Sequence, residues 1–241
     1  MSRKTIAPKE QSPQRLLTPS AEHPLRRFLR KPFQIIRANF RAYLIINAIV
    51  YGLVITGMVA AMVFPNLGAT QVATLEADGT TGLVRSLINT PWLFALSILG
   101  VNAIMTGVPL IVLPSLIIPF AGIALFAHKA FTIGLGLAST TSIAAVWIPH
   151  SLTLLIEFQA YALLMFGAYI LGRSWVRPAT ISARDRRQGY VRGLKQFGWL
   201  SLTALPLFIV GAIWEAFSLH YLFGRWPNGC CSVMLPSCQQ S

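Results

Sequence analysis

Negative charge is what this sequence has least of. Seven Asp and Glu stand against 20 Lys and Arg in 241 residues, and charged residues of both signs make up only 11% of the chain. Soluble domains carry about 25%. With 54% hydrophobic residues and a mean hydropathy of +0.60, this shortage excludes an ordinary water-soluble globule and points to a polytopic membrane protein. Catalytic signatures are missing as well. There is no His-Glu-x-x-His, no Gly-x-Ser-x-Gly, no P-loop and no cysteine pair at zinc spacing, so neither an enzyme nor a bound cofactor or metal is expected. The three cysteines, Cys230, Cys231 and Cys238, are an odd number at the chain's end. In an external tail they would meet an oxidising compartment, where Cys238 could bridge to either neighbour. A short tail without function is the simpler reading.

The formal net charge of +13 raises the question of nucleic acid, and the positions of the cations answer it. Ten of the 20 lie in residues 1–41 and seven more between Arg173 and Lys195. Two basic blocks separated by apolar spans are what the positive-inside rule places on the cytoplasmic side. Anionic lipid headgroups, not nucleic acid, are therefore the expected partners.

Taken in order, residues 1–24 are Pro-rich and polar and are expected to be a disordered cytoplasmic tail. No secretory signal peptide is expected, because the first apolar span follows this tail and is too long for a signal's core, so that span should stay as an anchor. Residues 25–41 interleave Leu25, Phe28, Leu29, Phe33, Ile36 and Phe40 with Arg26, Arg27, Arg30, Lys31, Arg37 and Arg41. That alternation predicts a basic interfacial helix whose cations contact lipid, kinked or split at Pro32. Residues 42–224 form the expected transmembrane bundle, all-α, with about five spans. Tyr43 to Phe64 supplies 22 apolar or small residues, about 33 Å of helix, enough for a core of about 30 Å. Residues 65–91 carry a single cation and read as an external loop.

From Trp92 to Gly172 the chain must cross an odd number of times if it starts outside and ends at the second basic block. Five crossings would leave about 16 residues each, too few, so three are expected. The surplus length, with Pro109, Pro114, Pro119 and Pro149, predicts broken or re-entrant helices. Turns are expected near Leu113–Ser115 and Ser139–Ser142. A second arrangement keeps 92–127 as one broken span, sets His128 and Lys129 at the inner surface and turns outward at Pro149. Residues 173–195 read as a cytoplasmic loop, Phe197–Phe223 as the last span, kinked at Pro206, and 225–241 as an external tail. The expected location is a bacterial cytoplasmic membrane, with the N-terminus inside and the C-terminus outside.

Trp147 to Trp175 is the stretch on which a functional reading turns. It is apolar but carries His150, Glu157 and Gln159. A carboxyl at the bilayer centre costs about 2.5–3.5 kcal/mol on insertion scales, so such groups face a bundle interior or a wet cavity and have partners. His150 and Glu157 lie seven residues apart, two helical turns, so they share a face about 10 Å apart. Glu215 in the last span and Lys129 and Asn102 in the middle spans complete the set of intramembrane polar candidates. His150 and Lys129 are the nearest partners by sequence for the two carboxyls.

The order of several short motifs resembles the stage II sporulation protein M family. Ala38-Asn39-Phe40 precedes span one, Asn102 lies in SILGVNAIMTG, Pro149-His150 is followed by Glu157 and then by Gly172, and Ile213-Trp214-Glu215-Ala216-Phe217 lies in the last span. Together they cover most of residues 35–220. The chain departs from the family pattern at Ser151, where the family has Gly after the His, in the seven-residue His-to-Glu spacing where four is usual, and at Lys129-Ala130, where an Asn-Gly pair is expected. The resemblance implies a non-catalytic membrane scaffold that organises peptidoglycan remodelling with catalytic partner proteins. The partners would then be membrane or envelope proteins, with homo-oligomers also open. The competing reading is a small transporter or permease subunit, in which His150, Glu157, Glu215 and Lys129 relay protons or ions across broken helices. No internal repeat supports it. The same residues could also serve only as an interhelical lock, Glu157 with Lys129, and Asn102 and Gln159 as interhelical hydrogen bonders.

Overall fold

The computed structural model describes residues 24–77, 86–87, 90–139, 143–181 and 184–224, with the side chains of 24–29, 75–76, 139, 143–150, 180–181 and 222–224 outside the description. The fold is all-α. Seven helices follow one another among the described residues: α1 (Pro24–Ala38), α2 (Phe40–Val63), α3 (Pro65–Ala77), α4 (Pro91–Ile117), α5 (Ala121–Ser139), α6 (Ile143–Val176) and α7 (Arg186–Gly224). Five of them, α2, α4, α5, α6 and α7, are long and apolar enough to cross a membrane. The chain is thus a multi-pass helical bundle.

Burial separates these five by role. In α6, 67% of the apolar stretch is buried, against 17–33% in the other four, so α6 is the hub. It is apolar all round from Tyr161 to Ala168, as a helix enclosed on every side must be. It packs along α7 on one side and touches α2, α4 and α5 on the others. The α2–α5 pair is the second close contact. Glycine permits it: a Cβ on Gly57 would lie 2.2 Å from the Phe131 carbonyl oxygen, and one on Gly134 2.2 Å from that of Val54. Packing of this kind, through small residues, is how helices associate where lipid removes the hydrophobic drive.

Several boundaries differ from the sequence expectations. α1 runs through Pro32 as one helix, with Pro32 buried, and the break falls at Asn39 instead. Part of 65–91 is helical, as α3. The connection expected over 173–195 shrinks, because α6 continues to Val176 and α7 begins at Arg186. The turn expected at Leu113–Ser115 lies at Ile118–Phe120. Ile118 precedes Pro119 and is extended, at φ −128° and ψ 124°, as a residue before proline prefers. Phe120 takes φ 66°, a left-handed conformation that a bulky residue adopts only when its surroundings hold it. Here the holding contact is with α6: the Phe120 ring occupies the space a Cβ on Gly172 would need, 2.8 Å away. This turn separates α4 from α5, so 92–127 is not one span.

Proline loosens one helix, α4, without ending it. Gly100–Val112, in the middle of α4, is wound in wide π-type turns, and the Leu113 N–H donates to the Val108 carbonyl, five residues back. Pro109 lies inside this segment. Lacking an N–H and colliding with the carbonyl four residues earlier, it favours the looser winding. α6, in contrast, carries Pro149 without interruption. Residues 1–23 of the tail expected over 1–24, the tail expected over 225–241 with all three cysteines, and residues 140–142 of the turn expected at Ser139–Ser142 lie outside the described residues, while Pro24 opens α1 and Ser139 ends α5.

Candidate functional site

The wide turns of α4 present Asn102 to α6. Its Nδ2 donates to Glu157 Oε1 at 2.5 Å, across 55 positions of sequence. One turn further along α6, the Tyr161 hydroxyl donates to the Asn102 side-chain oxygen at 3.1 Å and to its backbone oxygen at 3.2 Å. Thr106, buried one turn beyond Asn102, also hydrogen-bonds the Tyr161 hydroxyl. Asn102 therefore accepts from the phenol and donates to the carboxyl. Those two contacts fix which way its amide points.

Glu157 itself is buried, with 9% of its surface exposed. α7 makes room for it with glycine: a Cβ on Gly211 would come within 3.0 Å of Glu157 Cγ. Glu215 stands one turn after Gly211, close enough to interact electrostatically with Glu157. The neighbours of Glu157 in this network are thus an amide, a phenol and a second carboxyl. The depth is central. Glu157 adjoins Phe158, whose ring meets that of Tyr51 at 6.1 Å, and Tyr51 lies halfway along α2.

Aromatic rings wall the cluster. Tyr161 is flanked by Phe126 of α5 at 4.5 Å and by Phe208 of α7 at 4.9 Å between ring centres. Both phenylalanines are buried. A carboxyl held by an amide inside an aromatic shell can exchange a proton or bind a small polar group. It can equally fix the register of α4 against α6.

The other sequence candidates fall elsewhere. Gln159 is two residues from Glu157 and so on a different face, where its Nε2 donates to the Tyr43 hydroxyl of α2. Lys129 is half-buried on α5; the hydrogen-bond partner of Glu157 is Asn102, where the sequence offered His150 and Lys129 as the nearest candidates. The His150 side chain lies outside the described residues. Asn39 and Arg173, far apart in sequence, meet at the basic end of the bundle, where Arg173 Nη1 donates to Asn39 Oδ1 at 3.3 Å. Of the cations expected to contact lipid, Arg30, Lys31, Arg37 and Arg41 are exposed, while the side chains of Arg26 and Arg27 are outside the description.

Sequence reasoning missed Tyr161, Thr106 and Tyr43. Spacing held a signal for two of them, since Tyr161 follows Glu157, and Thr106 follows Asn102, by four residues on the same helical face.

Fold and site together define a multi-pass helical membrane protein with a buried carboxyl-amide centre. No family model, curated protein or solved structure matches the chain.

Proposed function

We propose that this protein is a non-catalytic component of an envelope-associated complex in a bacterial cytoplasmic membrane, similar to the stage II sporulation protein M scaffold. In this reading the basic end is cytoplasmic, the N-terminus inside and the C-terminus outside. The supporting observation is convergence. Asn102, Glu157 and Glu215, separate members of the motif series that resembles the family, meet in one cluster, and Asn39 meets Arg173 next to Gly172. A scaffold needs fixed helix register more than a wet path, and the Asn102–Glu157 and Gln159–Tyr43 bonds each tie α6 to a different neighbour. Affinity purification from mild detergent tests the reading. A co-purifying cell-wall hydrolase is the expected result; a bare homo-oligomer or an ATPase partner would contradict it.

A second reading, a proton or ion relay, is favoured by one observation: two carboxyls within apolar helices, Glu157 and Glu215, are near enough to interact electrostatically, and ionisable groups in such segments mark ion pathways in many membrane proteins. Glu157→Gln separates the two. The amide keeps the bond to Asn102 but cannot carry a proton. The scaffold reading expects unchanged partner recovery and no proton flux in proteoliposomes of either form. Flux in the wild type that vanishes in Glu157→Gln would establish the relay.

A further inference from the structure

At the basic end, α1 and α7 enclose an open cleft of about 470 Å³. Lys31 enters from α1, and Arg192 and Lys195 from α7; Gln34, Gln196 and Trp199 add hydrogen-bonding groups and a ring. No carboxylate lines it. Lys31 Nζ sits over the Trp199 ring, 5.4 Å from its centre, which holds the ammonium in the cleft by cation–π attraction. Three cations gathered without an acid make a receptor for a phosphate group.

From the cleft an apolar stripe continues along α7. Leu202, Pro206 and Ile209 follow Trp199 at helical spacing and are exposed, within the stretch apolar enough to cross a membrane. A ligand with a phosphate at one end and a hydrocarbon chain at the other matches both parts. A free phosphate would use only the first. We propose that this cleft is a specific site for one anionic phospholipid, its headgroup phosphate bound by Lys31, Arg192 and Lys195 and an acyl chain laid along Leu202, Pro206 and Ile209. The site goes beyond general attraction of the basic block to a charged surface, and it holds under either functional reading, since it requires only that the chain lies in a membrane.

The test uses the full chain purified in a non-ionic detergent, with retention of phosphatidylglycerol measured by native mass spectrometry and thermal protection. Each cation near an anionic surface is worth about a five- to sixfold change in binding, so Lys31→Gln/Lys195→Gln is expected to weaken retention by about thirtyfold. Arg184→Gln/Arg187→Gln removes the same amount of charge from the second basic block, outside the cleft, and should change it by less than about twofold. Arginine at both cleft positions should restore binding. Lys195→Gln alone, which leaves the Lys31–Trp199 contact intact, should lose about five- to sixfold and decides the matter if the double variant fails to fold. Equal losses in the cleft and control variants would overturn the site in favour of non-specific attraction. Equal protection by phosphatidylcholine, or by inorganic phosphate alone, would overturn it as well.

Discussion

Glu157 was legible in the sequence as a carboxyl inside an apolar run, and its burial in α6 follows from the cost of leaving it in lipid. Its partner was not legible. Asn102 lies 55 residues away on a segment wound in wide turns, a geometry that helical periodicity does not foretell. His150 and Lys129 were the nearest candidates by sequence because each can carry a charge opposite to the carboxyl's, yet the bond Glu157 makes is to a neutral amide. A prediction follows at this scale. Melts of Glu157→Gln, Lys129→Met and the double variant in detergent should be additive to within about 0.5 kcal/mol, as for independent sites; rescue of one substitution by the other would restore the lysine lock. Tyr161→Phe removes the hydroxyl that Asn102 accepts from and should cost about 0.5–1.5 kcal/mol. An unchanged melting temperature would remove Tyr161 from the network.

Among the elements, the five long apolar helices were readable from run length alone, because the bilayer sets a minimum that few other constraints blur. Their ends were less so. Pro114 looked like a turn, but Pro119 makes it, since the residue before it is forced out of the helical region and Phe120 then turns the chain. Gly172 is part of that turn although it belongs to another helix. Gly172→Val should crowd the Phe120 ring, and the Tyr169–Phe120 contact, 6.2 Å between ring centres, should be lost with it. The α2–α5 pair is more exacting, because the atoms facing Gly57 and Gly134 are backbone and cannot swing aside. Gly57→Leu is expected to destabilise by about 1–3 kcal/mol or more, read as a lower melting temperature. A neutral result would mean that the two helices are not in close contact.

For the whole molecule, the two basic blocks and the count of spans give the expected orientation, with the tail carrying Cys238 outside. An impermeant maleimide should label Cys238 in intact cells after reduction. Protection that persists after reduction would reverse the topology. What the sequence could not supply is how the five spans close on one another, which here depends on α6 reaching α7 through Gly211 and α4 through Asn102. The bundle is thus centred on the Asn102–Glu157 bond, and a double-mutant cycle on whole-protein unfolding tests that most directly. With Asn102→Leu, Glu157→Leu and the double variant, the predicted coupling is about 0.6–1.7 kcal/mol, the range of interhelical hydrogen bonds in membrane proteins. Additivity of the two substitutions, with coupling below about 0.3 kcal/mol, would contradict it.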